Sequence, residues 1–338
     1  MKKLLLRAVA VCLALSLGFG YVTEADAAYR LRLQVHLPAA DRLYSEYIAV
    51  NLVEKVRADT DGQVIISTFP SGALVPPTEI FRAVADGVVD IGYTAIGYHA
   101  GFIPSVQVVD GLPMAYRDYR DLQICFNERG LGDLLRAEYE KNGVILLTQV
   151  ATDAYTVLSK APLSTQADWQ GAKVRGFGVW NKYFSILGAS AVEMPLAEVY
   201  MALALGTVDA AVTGVAPLYL LKFYETCKNG IWPPLAGTAL QDIYINPRTW
   251  NNLPEDLRNK VMKSFQEWAE EASLALDADS IEARKGLEAE GVVFAPADNE
   301  WLLERAQVLW QEIAETDEVS AQAIKIVTDY LREVGVIN

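Results

Sequence analysis

Along the chain, two hydrophobic rhythms trade places. "LRLQVHL" (31–37) alternates with period two, the mark of a strand with one covered face, and Leu43 to Val56 then carries apolar residues at helical spacing. "DTDG" turns the chain and "QVIISTF" is strand-like again. The same order recurs as "EIFRAVADG" before "VVDIGYTAIGY", as "LGDLLRAEYEKNG" before "VILLTQV", and as "WNKYFSILG" and "AEVYMALALG" before "TVDAAVTG". Helical patterns that end in Gly before a β-branched run predict βα units and a largely parallel sheet. From Pro254 the rhythm changes. One charged, helically periodic stretch runs from Glu255 to about Glu290, followed by helical segments over 298–315 and 317–334. At 1.5 Å per residue the first of these would be about 50 Å long, more than the diameter of a small lobe, so it is expected to bridge two lobes.

The first 27 residues stand apart from that pattern. Lys2, Lys3 and Arg7 form a charged start, Leu4 to Phe19 an apolar run, and Ala25-Asp26-Ala27 offers small residues for cleavage. This predicts a secretory signal cut near Ala27/Ala28 and an exported, periplasmic protein without stable membrane insertion. The run is too short, and too broken by Ser16, Gly18 and Gly20, for a comfortable span. Cys12 lacks the setting of a lipidated cysteine. Without residues 1–27 the net charge of −14 becomes about −15, which repels nucleic acid and anionic membrane alike. Any anion site must then supply its own positive charge. Cys125 and Cys227 remain, 102 positions apart, and are expected to be buried and unpaired.

Catalytic signatures are missing. His36 and His99 are the only histidines, and no His-x-x-x-His, Cys-x-x-Cys, Gly-x-Ser-x-Gly or Walker-type pattern occurs. "GFG" (176–178) lacks the third glycine of a dinucleotide fingerprint. "LDADS" (276–280) lacks the Gly and Glu of a calcium loop and reads as a solvated helix face. No metal and no cofactor is expected, and no reaction is indicated.

A different chemistry lies in "GAKVRGFG" (171–178), where Arg175 ends an apolar strand between glycines. The surrounding order is "DWQGAKVR", then "LGASAVEMPLAEVYMALALGTVD", then a run to "KFYE"; "GQVIISTFPSGAL" and "EIFRAVADGVVDIGYT" lie upstream and "IYINPRTWNNLPEDLRNKV" downstream. This ordered set resembles the solute-binding proteins of tripartite ATP-independent periplasmic (TRAP) transporters over essentially the whole exported chain. The resemblance implies a two-lobed α/β binding protein of the type II kind, each lobe a mixed, mostly parallel sheet flanked by helices. Lobe I would comprise residues 28–152 plus 241–280 and lobe II residues 153–240 plus 281–338. It further implies no catalysis, capture of a small organic acid in the cleft, and delivery to the small and large permease subunits; a monomer is expected rather than a dimer.

In that family the arginine of the "KVR" strand holds the ligand carboxylate, which here falls on Arg175. A planar, permanently charged guanidinium suits that bidentate pairing; Lys173 suits a solvated surface better. Three positions depart from the family pattern. A second arginine is replaced by Tyr155, a Glu-Asn pair by Val212 and Thr213, and a polar group after the "DIG" strand by Ala95. A single arginine favours a monocarboxylate, because a second buried anion without a cation would cost several kcal/mol. Of the nearby aromatic residues Tyr93, Tyr98, Tyr155, Phe177, Trp180, Tyr219 and Trp232, about half are expected in the core. Tyr93, Tyr155, Phe177, Trp180 and Trp232 are assigned to the cleft, with Tyr98, Leu196 and His36 beside them and Thr94 and Thr213 offering hydroxyls. These residues favour a ring-bearing acid, an indole acid or an aromatic amino acid. A small hydroxy, oxo or C4-dicarboxylic acid is the alternative within the family, and an exported enzyme or a sensory binding module the alternative outside it.

Overall fold

The computed structural model describes residues 28–337, so the expected signal segment lies outside the described residues. Eleven strands among them form two sheets. The first, in the order β2-β1-β3-β10-β4, consists of β1 (Tyr29–Val35), β2 (Val64–Phe69), β3 (Ile91–Ala95), β4 (Ile145–Ala151) and β10 (Leu240–Ile245). β1 pairs in parallel with β2 and β3, whereas β10 runs antiparallel between β3 and β4. The second, in the order β11-β9-β5-β8-β6-β7, consists of β5 (Tyr155–Ser159), β6 (Lys173–Gly176), β7 (Ser190–Glu193), β8 (Ala210–Gly214), β9 (Asn229–Ile231) and β11 (Val293–Ala295). Here β6 is parallel to β7 and β8, and β5 is antiparallel to β8 and β9. This is the two-lobed arrangement of mixed sheets flanked by helices that the family resemblance implies, with antiparallel β5 and β10 interrupting the parallel sheets that the alternating pattern predicts.

The chain crosses between the sheets in the long segment from β10 to β11 and at two short links, residues 152–154 and 232–239. The two short links lie side by side, with Thr152 N–H donating to Ala239 O at 2.8 Å and Tyr155 N–H to Ala236 O at 2.8 Å. The main helices after β4 are α1 (Val179–Ile186), α2 (Leu196–Leu205), α3 (Val215–Leu220), α4 (Glu255–Ala289), α5 (Asn299–Ala314) and α6 (Glu318–Glu333). α4 spans 35 residues, about 52 Å at the standard rise. Its first half buries Leu257, Val261, Phe265 and Trp268 in the core of the first sheet, and its end buries Ala283 and Leu287 in that of the second. One helix therefore belongs to two cores, as its predicted length requires.

Two details differ from the sequence pattern. The link carrying "VEMP" contains β7, a short edge strand that pairs with β6 alone and shows no alternation, so periodicity could not reveal it. The helical run after Leu43 is in two parts, wide π-type turns over Leu43–Leu52 and regular helix over Val53–Asp59. Cys125 and Cys227 are both buried and unpaired. Among the described residues no helix is long and apolar enough to cross a membrane.

Candidate functional site

β6 sits between β7 and β8, with Arg175 in register with Val192 and Ala211. Its side chain reaches past both neighbours toward their C-terminal ends. Nε and Nη2 donate to Met194 O at 3.1 and 2.8 Å, and Nη1 donates to Val212 O at 2.9 Å. The Met194 carbonyl is available because it precedes Pro195, where α2 begins, and the first turn of that helix uses Pro195 O instead. Arg175 is only 1% exposed, and its guanidinium carbon lies 4.9 Å from the centre of the Phe177 ring, in range for a cation–π contact. Its bonding partners are neutral carbonyls, and burial pulls its pKa below the usual arginine value. A guanidinium has five N–H groups. Three are used on backbone oxygen, which leaves one N–H on each Nη, with the Tyr98 hydroxyl as a side-chain partner within reach.

Arg175 lines a cleft of roughly 700 Å³, counting its mouth, built where strands of both sheets end on the same side. His36 follows β1, Ala95 ends β3, Asp153 follows β4, Phe177 follows β6, and Thr213 and Gly214 end β8; Tyr155 and Gln241 enter from the starts of the antiparallel strands β5 and β10. This is where open α/β sheets place their ligands. The apolar wall combines Tyr98, Tyr155 and Phe177 with Leu37, Leu43, Leu196, Leu220 and Leu276. Phe177 meets Tyr155 edge-on at 6.1 Å and Tyr98 at 6.3 Å.

Of the residues assigned to the cleft from sequence, Arg175, Tyr155, Phe177, Thr213, Tyr98, Leu196 and His36 line it. Tyr93, Thr94, Trp180 and Trp232 are not among the lining residues. Tyr93 lies two residues back from the end of β3, stacked 5.7 Å from His36, so the histidine ring takes the place nearer the cleft. Thr94 points to the other face of β3, into a buried network with Tyr244 Oη at 3.1 Å and His99 Nδ1 at 3.3 Å. Trp180, in the first turn of α1, packs into the core against Tyr155, Tyr183 and Phe184. Trp232 covers Arg284 at 3.9 Å and meets Phe294. Strand ends locate a residue near the cleft but do not say which face a ring takes.

The cleft also holds polar groups that the sequence reading passed over: Asp41, Arg42, Thr152, Asp153, Gln241 and Asp279. Asp279 belongs to the "LDADS" stretch and is not simply a solvated helix face. It pairs with Arg42 at 2.6 Å, and Arg42 also binds Glu46 at 2.8 Å, so the second cationic side chain of the cleft is already neutralised. Asp153 Oδ2 accepts from Ala216 N–H at 2.5 Å, and burial raises its pKa from 3.8 to about 7. Asp41 Oδ1 accepts from Leu43 N–H at 2.8 Å, and burial raises its pKa too. His36 directs Nδ1 at Tyr93 O, 3.3 Å away, and burial lowers its pKa to about 4, so it is a neutral ring at neutral pH. A carbonyl can only accept, so Nδ1 carries the hydrogen and Nε2 is left as an acceptor. The signal for Asp153 was its place two residues before Tyr155, at a strand crossing.

Gly178, the last glycine of "GAKVRGFG", lies against backbone rather than in the cleft lining. Its φ of 51° is in the left-handed range, and a Cβ there would lie 2.5 Å from Gly97 Cα and 2.6 Å from Asp110 Oδ2. It therefore serves a backbone contact between the loop after β6 and the turn after β3.

Two sheets joined by paired crossings leave a largely apolar cleft between them, with a buried arginine on its wall, the arrangement of a two-lobed binding protein. The chain belongs to the bacterial extracellular solute-binding protein family 7, whose model matches residues 35–317. It is 27% identical over 82% of its length to a monocarboxylate 2-oxoacid-binding periplasmic protein of Nostoc sp., covering 76% of that protein. It is 26% identical over 85% of its length to the sialic acid-binding periplasmic protein SiaP of Vibrio cholerae, covering 89% of it. Among solved structures, the fold matches DctP7 of Bordetella pertussis, an extracytoplasmic receptor binding pyroglutamic acid, with a TM-score of 0.82 at 19% identity, covering 89% of this chain and all of that one. A TRAP solute-binding protein of Bordetella bronchiseptica with calcium and picolinate in its site matches with a TM-score of 0.81 at 22% identity, covering 91% and 93%. The protein is thus a solute receptor of the TRAP class, a periplasmic family.

Proposed function

We propose that this protein captures an organic monocarboxylate, with a ring or other apolar body, and delivers it to the permease subunits of a TRAP uptake system. The observation that carries this reading is Arg175: a buried cation with two N–H groups left over, no carboxylate among its bonding partners, and an aromatic wall beside it. A ligand carboxylate would complete the guanidinium's bonding, while Tyr98, Tyr155 and Phe177 take the apolar part and Thr213 offers a hydroxyl. Closing the cleft joins the two lobes, residues 28–152 with 241–280 and 153–240 with 281–338, into the surface a permease reads. The protein acts as a monomer and turns nothing over.

Arg175→Ala should weaken binding by about 2 to 5 kcal/mol, the usual effect of removing one partner of a buried charged pair. Calorimetry with an acid found by thermal-shift screening measures this, and unchanged affinity would remove the assignment. A small oxo acid is the second reading, favoured by the Nostoc relative, a 2-oxoacid-binding protein. A C4 diacid is disfavoured because Arg42, the other arginine of the cleft, is occupied by Glu46 and Asp279. Thermal shifts with diacids or small oxo acids and none with ring-bearing acids would reverse that order.

A further inference from the structure

The cleft has a surplus of acceptors that a simple carboxylate leaves unanswered. With Arg42 neutralised, Arg175 is its one cation free of a carboxylate partner among the described residues, yet two carboxyl groups, Asp41 and Asp153, share the same space. Each is about 5% exposed and is held by backbone N–H groups rather than by a basic side chain. His36 Nε2 adds a third acceptor. A ligand bearing only a carboxylate would satisfy Arg175 while adding a negative charge beside two buried carboxyl groups that have no cationic partner, which is costly.

The position of Asp153 is built into the fold. A Cβ at Gly214 would overlap Asp153 Oδ1, so the glycine at the end of β8 is what lets this carboxyl lie against the strand. Arg175 Nη1 is fixed to Val212 O, two residues earlier on β8. Two residues of strand span about 7 Å. An α-nitrogen lies about 2.5 Å from the carboxylate carbon of the same acid. With hydrogen bonds of about 2.8 Å to a carboxylate oxygen and from the nitrogen, one small acid has the length to reach from one anchor to the other.

We propose that the natural ligand is an acid with nitrogen on its α-carbon, an ammonium or ring N–H received by Asp153 with Asp41 and His36 as further acceptors while Arg175 takes the carboxylate. This rests on the monocarboxylate reading and narrows it. Asp153 is then the group that separates α-nitrogen acids from their nitrogen-free counterparts.

The test compares two matched pairs by calorimetry: L-phenylalanine with 3-phenylpropanoate, and L-proline with cyclopentanecarboxylate. The nitrogen-bearing member of at least one pair should bind at least tenfold more tightly. Asp153→Asn should abolish that preference without weakening the nitrogen-free member, and Asp41→Asn should reduce it by a smaller factor, which keeps the question open to measurement if the first variant folds poorly. Equal affinity within both pairs, or binding of the nitrogen-free acids that needs added calcium, overturns the inference and leaves the monocarboxylate reading intact. Arg175→Ala, measured with the same four acids, tests that reading separately.

Discussion

The carbonyl of Met194 receives both Nε and Nη2 of Arg175, at 3.1 and 2.8 Å, so one whole edge of the guanidinium is fixed before any ligand arrives. With Nη1 on Val212 O as well, the remaining N–H groups are held in one plane. A lysine could keep the charge but not three backbone bonds and a two-point grip together, since an ammonium has three donors on a flexible stem. Arg175→Lys is therefore expected to bind an acid ligand at least tenfold more weakly, about 1.4 kcal/mol. Wild-type affinity by calorimetry would show that charge alone suffices.

Gly97 and Gly178 bring two loops into backbone contact beside Asp110, and Gly178 does so at positive φ. Alanine at 178 meets both penalties, a strained backbone and a Cβ 2.5 Å from Gly97 Cα. Gly178→Ala should lower stability by about 1 to 3 kcal/mol and widen the particle in small-angle scattering. An unchanged melting temperature and radius would mean that the loops part freely.

How far the sequence could be read depended on range. The long helix was legible because 35 residues of unbroken periodicity can be counted, and the βα order because each Gly marks a helix end. Arg175 was legible as the cation that closes an apolar strand. Trp180 and Trp232 were not, since a ring near a strand end can turn to core or cleft, and the choice rests on distant partners such as Arg284 and Tyr155. The Arg42–Asp279 pair spans 237 positions and joins two helical segments, so no local pattern announces it. Asp153 was missed for a related reason: its significance comes from Gly214, a neighbour only in the folded chain.

Cys125 and Cys227 sit in separate cores, and burial pushes the Cys125 thiol up to about 12 and raises that of Cys227. Thiolate is the reactive form. Neither cysteine should react with a thiol reagent in the native protein at pH 8, and both should react in denaturant without prior reduction. Rapid native labelling, or fewer than two thiols in denaturant, would contradict this burial.

Asp153 also makes stability depend on pH in a direction opposite to that of a salt-bridged acid. Its folded-state pKa of about 7 stands above the ordinary 3.8, so between these values the native protein binds the proton that the unfolded chain has lost. Stability then falls as pH rises through that window, and the contribution is fully lost above it. Burial is the main cause; Asp41 and Asp277 add like charge, opposed by the Ala216 N–H. Asp41 and Asp110 are shifted in the same direction, whereas His36, lowered to about 4 from 6.5, acts in reverse between those values. The total profile mixes these terms, so the informative quantity is the difference between wild type and Asp153→Asn. From pH 5 to pH 8 the ligand-free wild type should lose stability relative to the variant, by on the order of 3 kcal/mol if the full shift is expressed. Denaturant unfolding at the two pH values measures it, and a difference that stays constant would mean that Asp153 is ionised throughout.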